Sequence, residues 1–270
     1  MASLRERLLV RPGAEVRLDK IDPEATPGCE AKDEGLERFA AHGDRLSVLQ
    51  YLLYAEAKRS VLVILQGIDA GGKDGTIRKV MSGMNPQGVH VTSFKAPAGV
   101  EREHDYLWRV HAAVPRFGQI GIFNRSHYED VLIARVRGLV EEKVWSRRYD
   151  HINAFEQMLA DEGTTILKFF LYISKDEQKK RFEERINDPE KHWKFNPADI
   201  EERKYWDAYI KAYEVAIEHS SKPHAPWYII PANRKWYRNL AVAEILRETL
   251  EDMNIQYPGP IQDLSRIKFE

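Results

Sequence analysis

Gly67-Ile-Asp-Ala-Gly-Gly-Lys73 sets glycines and a lysine in the order glycine, four residues, glycine, lysine. At that spacing the chemistry is anion binding. Glycines let the backbone curl until successive N–H groups point inward, and the lysine adds a positive charge. Gly67, Ala70, Gly71, Gly72, Asp74, Gly75 and Thr76 are the expected cradle for a row of phosphates, with Lys73 on the bridging or terminal one. Such loops usually carry a Ser or Thr directly after the lysine to hold Mg²⁺. Here Asp74 stands in that place, and the nearest hydroxyl is Thr76. Asp69 is a carboxylate inside the loop itself. A negative charge among phosphates is electrostatically sensible only with a divalent cation between them. Asp69 is therefore expected to organise Mg²⁺, or Mn²⁺ in its place, or to orient the attacking oxygen. The competing reading is a glycine-rich turn in which Asp69 merely caps the next helix.

A second constellation is Ile120-Gly-Ile-Phe-Asn-Arg-Ser-His-Tyr-Glu129, an apolar run that ends in polar residues. Phosphoryl-transfer proteins often present an acid toward the metal at such a strand end. Here the first polar residue is Asn124, which can hold a metal-bound water or a nucleophile but brings no charge, so Asp69 and Glu129 would have to supply it. Arg125 suits bidentate clamping of a phosphoryl group. Asn124 and Ser126 could equally cap a helix. Further along, Arg181 and Arg185 stand four apart and share a helix face, with Lys191 and Lys194 beyond a break. Residues 175–204 hold nine Lys and Arg against nine Asp and Glu, so composition by itself reads as a solvated helix. Only a fold that turns these cations toward the glycine loop makes them functional. Other chemistries are missing: there is no HExxH spacing and no GxSxG, and the single cysteine, Cys29, can form neither an intrachain disulfide nor a zinc site. Tyr205, Tyr209 and Tyr213, at intervals of four, read as a packed helix stripe.

These groups need a scaffold, and the apolar pattern supplies one. Residues 61–66 are β-branched and aliphatic without polar alternation, as in a strand buried on both faces of a parallel sheet. The other strand candidates are 89–94, 119–123, 165–174 and 226–231, alternating with helical patterns over 101–113, 126–137, 142–161 and 234–253. Alternating units of this kind imply an α/β three-layer fold: a central five-stranded parallel sheet with helices on both faces. Residues 34–58 read as a helix ahead of the first strand, and 34–255 as the main domain. Residues 1–33, rich in proline, glycine and charge, read as an extended N-terminal arm, and 256–270 as a C-terminal tail. No strand pattern appears over 175–221, and a helical insertion beside a sheet's ligand-binding edge is a candidate lid. With 41 Lys and Arg against 42 Asp and Glu, a net charge of −1 excludes coating nucleic acid by bulk charge. Any polyanion must meet a local patch. The longest aliphatic run, 61–65, is far too short to span a bilayer, and the start lacks a secretory pattern. A cytoplasmic protein with no membrane or nucleic-acid partner is the expectation.

Taken together, the motifs resemble the family-2 polyphosphate kinases. The likeness rests on Gly67-Ile-Asp-Ala-Gly-Gly-Lys-Asp-Gly75, Phe123-Asn-Arg-Ser-His-Tyr-Glu-Asp-Val131, Lys191-His-Trp-Lys-Phe-Asn-Pro197 and Ala225-Pro-Trp-Tyr-Ile-Ile-Pro-Ala232, and extends from about residue 30 to 255. The resemblance implies a phosphate-loop kinase fold with a helical lid. It also implies Mg²⁺-dependent phosphoryl transfer between inorganic polyphosphate and a nucleotide. By position, Asp69 resembles the family's loop aspartate, Lys73 its phosphate-binding lysine, Arg125 the arginine after the third strand and Arg185 a lid arginine. Arg135 and Lys194 match further basic positions. Many members have Asp where this chain has Asn124, and the asparagine resembles the subgroup that accepts both AMP and ADP, yielding ADP and ATP. A homo-oligomer is implied by the resemblance alone. The residues agree with this picture, because in-line transfer between facing phosphates needs cations to offset their repulsion and no covalent intermediate. The rival readings are an ATP-dependent nucleoside monophosphate kinase and a nucleotide- or polyphosphate-binding protein without turnover.

Overall fold

A computed structural model describes residues 2–267. Met1 of the expected arm and residues 268–270 of the expected tail lie outside the described residues. One sheet contains β1 (Leu9–Val10), β2 (Ser60–Gln66), β3 (Val89–Ser93), β4 (Ile120–Asn124), β5 (Thr164–Tyr172) and β6 (Trp227–Pro231). Their order is β1-β6-β5-β2-β4-β3, parallel throughout except for β1, which runs antiparallel to β6. The sheet thus has six strands, not the five expected, and is mixed at one edge. β1 pairs only Leu9 with Tyr228 and Val10 with Trp227, too few residues for a period to show. The N-terminal arm is corrected with it. α1 (Leu4–Leu8) is a packed turn of helix with reciprocal capping between Ser3 and Glu6, and Leu4, Val16 and Leu18 are buried.

The remaining helices are α2 (Lys32–Glu56), α3 (Lys73–Val80), α4 (Trp108–Ala112), α5 (Ile133–Val136), α6 (Glu142–Asp161), α7 (Lys175–Asn187), α8 (Pro197–Glu202), α9 (Trp206–Ser220) and α10 (Lys235–Asp252). All seven residues of β2 are buried, and alternate side chains enter opposite cores. Val61, Val63 and Leu65 pack with Leu46, Leu49 and Leu53 of α2 and with Leu240 and Ile245 of α10. Leu62 and Ile64 pack with Ile152 and Phe155 of α6 and Ala216 and Ile217 of α9. Each such aliphatic side chain stabilises the sheet by roughly 1.5–3 kcal/mol. The three layers follow from that two-sided burial.

Two expected helices are shorter than their patterns. Over 101–113 a 3-10 turn precedes α4, because the Asp105 carboxylate accepts from the Leu107 N–H at 2.9 Å and restarts the chain there. Over 126–137 Ser126 caps another 3-10 turn ahead of α5. In the expected lid, α7 buries Gln178, Arg181 and Phe182, whereas none of residues 183–205 is buried. Two proline-led turns shape this stretch, one capped by Asp188 and the other, α8, by Asn196. α9 returns to the core through Trp206, Ala212, Tyr213 and Ile217, so the surplus structure over the sheet edge is 183–205 rather than 175–221.

β2 lies between β4 and β5, where the strand order reverses. The crevice beyond the carboxyl end of β2 is where an open α/β sheet binds ligands. The glycine loop leaves β2 at that point.

Candidate active site

The loop is held open by its neighbours. The Gly71 N–H donates to the Ile68 carbonyl at 2.9 Å, and Gly72, the N-cap of α3, has φ +102°, a conformation open to glycine. A Cβ there would also lie 2.0 Å from Nη1 of Arg238. Ala70 and Arg125 are non-glycine residues at φ +63° and +61°, strain of about 1–3 kcal/mol each that the surrounding packing sustains. From α7, the Gln178 amide donates to the Asp69 carbonyl at 2.9 Å and Arg181 Nη1 to the Ala70 carbonyl at 2.9 Å. Arg181 Nη2 also reaches the Ala232 carbonyl at 2.7 Å, and its Nε pairs with Glu177 at 2.7 Å.

The charged groups converge on this frame. Lys73 is buried with Nζ 2.6 Å from the Gly67 carbonyl. Burial, then the Arg125 charge, push its ammonium down to about 8, against the pull of Asp69, Glu129 and Asp74. Asp69 accepts from Arg125 Nη2 at 2.5 Å. Burial works against the Arg125 charge, but Glu129 and Asp69 outweigh it and hold the guanidinium above its ordinary value. The Asn124 amide donates to Asp74 Oδ1 at 2.7 Å, which ties the end of β4 to the start of α3. Burial raises the Glu129 carboxyl, with Arg125 and Lys73 opposing. With its nitrogen toward Glu129, the Gln66 amide donates to Oε1 at 3.0 Å.

Two cavities meet here. The larger, about 740 Å³, lies between the loop and the 183–205 segment. Asp69, Ala70, Gly71, Gly72, Lys73, Asp74 and Gly75 line one wall, Asn124 and Arg125 the end, and Arg181, Arg185, Lys191 and Lys194 the other wall. Its lining holds eight Lys and Arg against four Asp and Glu, a local cationic patch on a chain of net charge −1. The smaller, about 270 Å³, is lined by Gly67, Glu129, Gln178, Trp206, Tyr209 and Tyr213 among others. Asp69, Arg125, Asn196 and Asp199 line both. Two anions entering from the two sides would face each other across Asp69 and Arg125.

Two expected site residues are not brought there. Thr76 is buried with its hydroxyl on the Gly72 carbonyl at 3.2 Å, a bond within α3 that withdraws it from the loop's open side. Arg135 lies on α5 with its guanidinium 4.5 Å from the Trp145 ring and lines neither cavity. Arg181 lines the large cavity, but its Nη groups donate to backbone carbonyls and its Nε to Glu177, so it buttresses the loop. Arg185 donates to the Lys194 carbonyl at 3.2 Å and lies 3.7 Å from Asp199, spanning the 183–205 segment. Among the described residues no three His, Cys, Asp or Glu side chains gather as a metal site. Of the expected ligands, Asp69 faces both cavities, Asn124 the larger and Glu129 the smaller. One or two carboxylates completed by substrate phosphates is a donor set that suits Mg²⁺, and Asp69 and Asp74 fit it. Sequence reasoning missed Gln178, Asp199 and Arg238. Arg238 alone carried a signal, a charge within the buried run of α10.

Residues 30–258 match the family model described as Polyphosphate kinase 2 (PPK2). The chain is 56% identical over 262 residues to the AMP/ADP-polyphosphate phosphotransferase of Meiothermus ruber, covering 97% of this chain and 98% of that one. It is 47% identical to the ADP-polyphosphate phosphotransferase of Rhodopseudomonas palustris, over 92% and 90% of the two chains. Its structure is similar to the crystal structure of polyphosphate kinase 2 from Arthrobacter aurescens TC1, with a TM-score of 0.94, 45% identity, and 98% and 94% of the chains covered.

Proposed function

The chain belongs to the polyphosphate kinase 2 family, and on that premise we propose that it moves the terminal phosphoryl group of inorganic polyphosphate directly to AMP and ADP, giving ADP and ATP. Transfer runs in either direction, because the bond broken and the bond formed are both phosphoanhydrides. The observation that carries this reading is the junction of the two cavities at Asp69 and Arg125. A donor phosphate chain and an acceptor phosphate, one in each, can meet end to end there, the geometry that in-line displacement requires.

The residues then divide the work. Backbone N–H groups of 70, 72 and 73, at the start of α3, receive phosphate oxygens, and Lys73 adds its ammonium. Arg125 holds the transferring group through its planar fork while Asp69 fixes that fork. Arg185, Lys191 and Lys194 line the wall along which a polyanion extends. Mg²⁺ would be held by Asp69 and Asp74, with Asn124 on the side of the larger cavity and Glu129 on that of the smaller, and would supply charge neutralisation between the facing anions. Chelation with EDTA is expected to stop turnover and added Mg²⁺ to restore it.

The test is ³¹P NMR of purified protein with Mg²⁺, AMP and polyphosphate and no ATP. Growth of ADP and ATP resonances supports the proposal. Silence until ATP is added points instead to an ATP-dependent nucleoside monophosphate kinase, and binding without any transfer to a carrier.

A further inference from the structure

Arg238, on the first turns of α10, is 3% exposed and lines neither cavity. Its guanidinium presses on the loop from within the protein. A Cβ on Gly72 would lie 2.0 Å from Nη1, and one on Gly75 3.3 Å from Nη2. Gly72 is gripped from the other side by Thr76, whose N–H and hydroxyl reach the Gly72 carbonyl at 3.0 and 3.2 Å. We infer that Arg238 is a positioning residue of the phosphate loop: it fixes the turn at Gly72 and holds a positive charge behind the anion that the loop receives. This rests on the function proposed above and extends it to a residue outside the cavities.

Among the described residues the charge of Arg238 is unmatched. A buried guanidinium is costly unless carboxylates or several acceptors offset it. Arg238 hydrogen-bonds to Asn239 Oδ1, from Nε at 3.2 Å and Nη2 at 2.9 Å, and forms no ion pair among the described residues. A second guanidinium, that of Arg181, lies on the same loop at the Ala70 carbonyl. Burial, then Arg181, lower the Arg238 guanidinium to about 10, so it stays charged at neutral pH. Leu240, Ala241 and Val242, which follow on the same helix, are buried apolar residues that offer this charge no partner. The anion bound on the loop is the group this charge can serve.

The test compares Arg238→Met, similar in length but neutral, with Arg238→Lys, which keeps the charge. Melting temperature is measured alone and with Mg²⁺ and inorganic tripolyphosphate, and KM for polyphosphate, KM for AMP and kcat are measured separately. Arg238→Met is expected to melt at or above the wild-type temperature without ligand, to lose most of the tripolyphosphate-induced shift, and to raise KM for polyphosphate about tenfold. Arg238→Lys is expected to stay within about threefold of wild type. If Arg238→Met does not fold, Arg238→Gln replaces it in the same comparison. A neutral variant with wild-type KM and shift overturns the inference, as does equal impairment by the neutral and lysine variants, which would make shape rather than charge the requirement. Wild-type turnover of AMP with polyphosphate is the control. Its absence overturns the functional reading, while the tripolyphosphate shift still decides the role of Arg238.

Discussion

Lys73 carries a charge that burial has made titratable near neutral pH. Its value in the folded protein lies below that of a free lysine, so the ammonium is present below about 8 and is lost as pH rises through that value. The free protein sets kcat/KM, which is expected to fall about tenfold per pH unit above this point, whereas kcat holds to higher pH because bound phosphates favour the charged form. A flat kcat/KM from pH 7 to 10 would contradict this. Lys73→Ala and Asp69→Ala are each expected to lower turnover roughly 10²–10³-fold, the scale seen for a lost transition-state donor, with melting temperatures within a few degrees of wild type. The residues legible in the sequence, Asp69, Lys73 and Arg125, sit in contiguous motifs whose spacing states their chemistry. Gln178 did not declare itself and Arg238 showed only as a charge within a buried run, because both reach the loop across more than a hundred residues of chain and only the folded packing joins them.

Elements position those residues through buried polar ties as well as apolar packing. The turn after β4, which carries Asn124 and Arg125, is anchored by His127 and Tyr128 to Glu156 of α6 at 3.2 and 2.9 Å. Lys168, in the middle of β5 and wholly buried, closes the network on Glu156 at 2.5 Å, on the Tyr128 hydroxyl at 2.8 Å and on the Ser220 carbonyl at 2.7 Å. Removing one member of a buried pair leaves the other uncompensated. Lys168→Met is therefore expected to cost about 3–5 kcal/mol in denaturant unfolding, and Lys168→Met with Glu156→Leu to recover much of it. A double variant no more stable than the single one would show that the network does not act as a pair. At this scale β2, β4, β5 and β6 were readable because buried runs lack polar alternation, whereas β3, with none of its residues buried, shows as a short Val-His-Val-Thr stretch. β1 was not, since two residues have no period, and neither were the bounds of the 183–205 segment, whose balanced charge hides which side faces the cleft.

The whole molecule is closed by its N-terminus. Glu244 of α10 is buried and accepts from Arg38 at 2.7 Å, His42 at 3.0 Å and the Leu4 N–H at 3.4 Å, joining α1, α2 and α10. Burial opposes ionisation, but His42 and Arg38 prevail and hold the carboxyl at about 2. A depressed carboxylate contributes its full stability above its unfolded value and loses it as pH falls toward about 2. Glu244→Gln is expected to lower stability at pH 7 and to flatten its decline between pH 5 and 2. An acid transition unchanged in that variant would assign the clamp no role. No helix among the described residues is long and apolar enough to cross a membrane.

The central claim is that an anhydride chain is held at the turn after β2 and meets its acceptor at Asp69 and Arg125. A crystal structure with polyphosphate, Mg²⁺ and a non-transferring AMP analogue tests it most directly. The expected density places phosphate oxygens within hydrogen-bond distance of the backbone N–H groups of 70, 72 and 73 and of Lys73 Nζ, with the acceptor phosphate entering from the cavity bounded by Glu129 and Tyr213. Polyphosphate bound elsewhere, with the loop carrying no phosphate, would contradict the account.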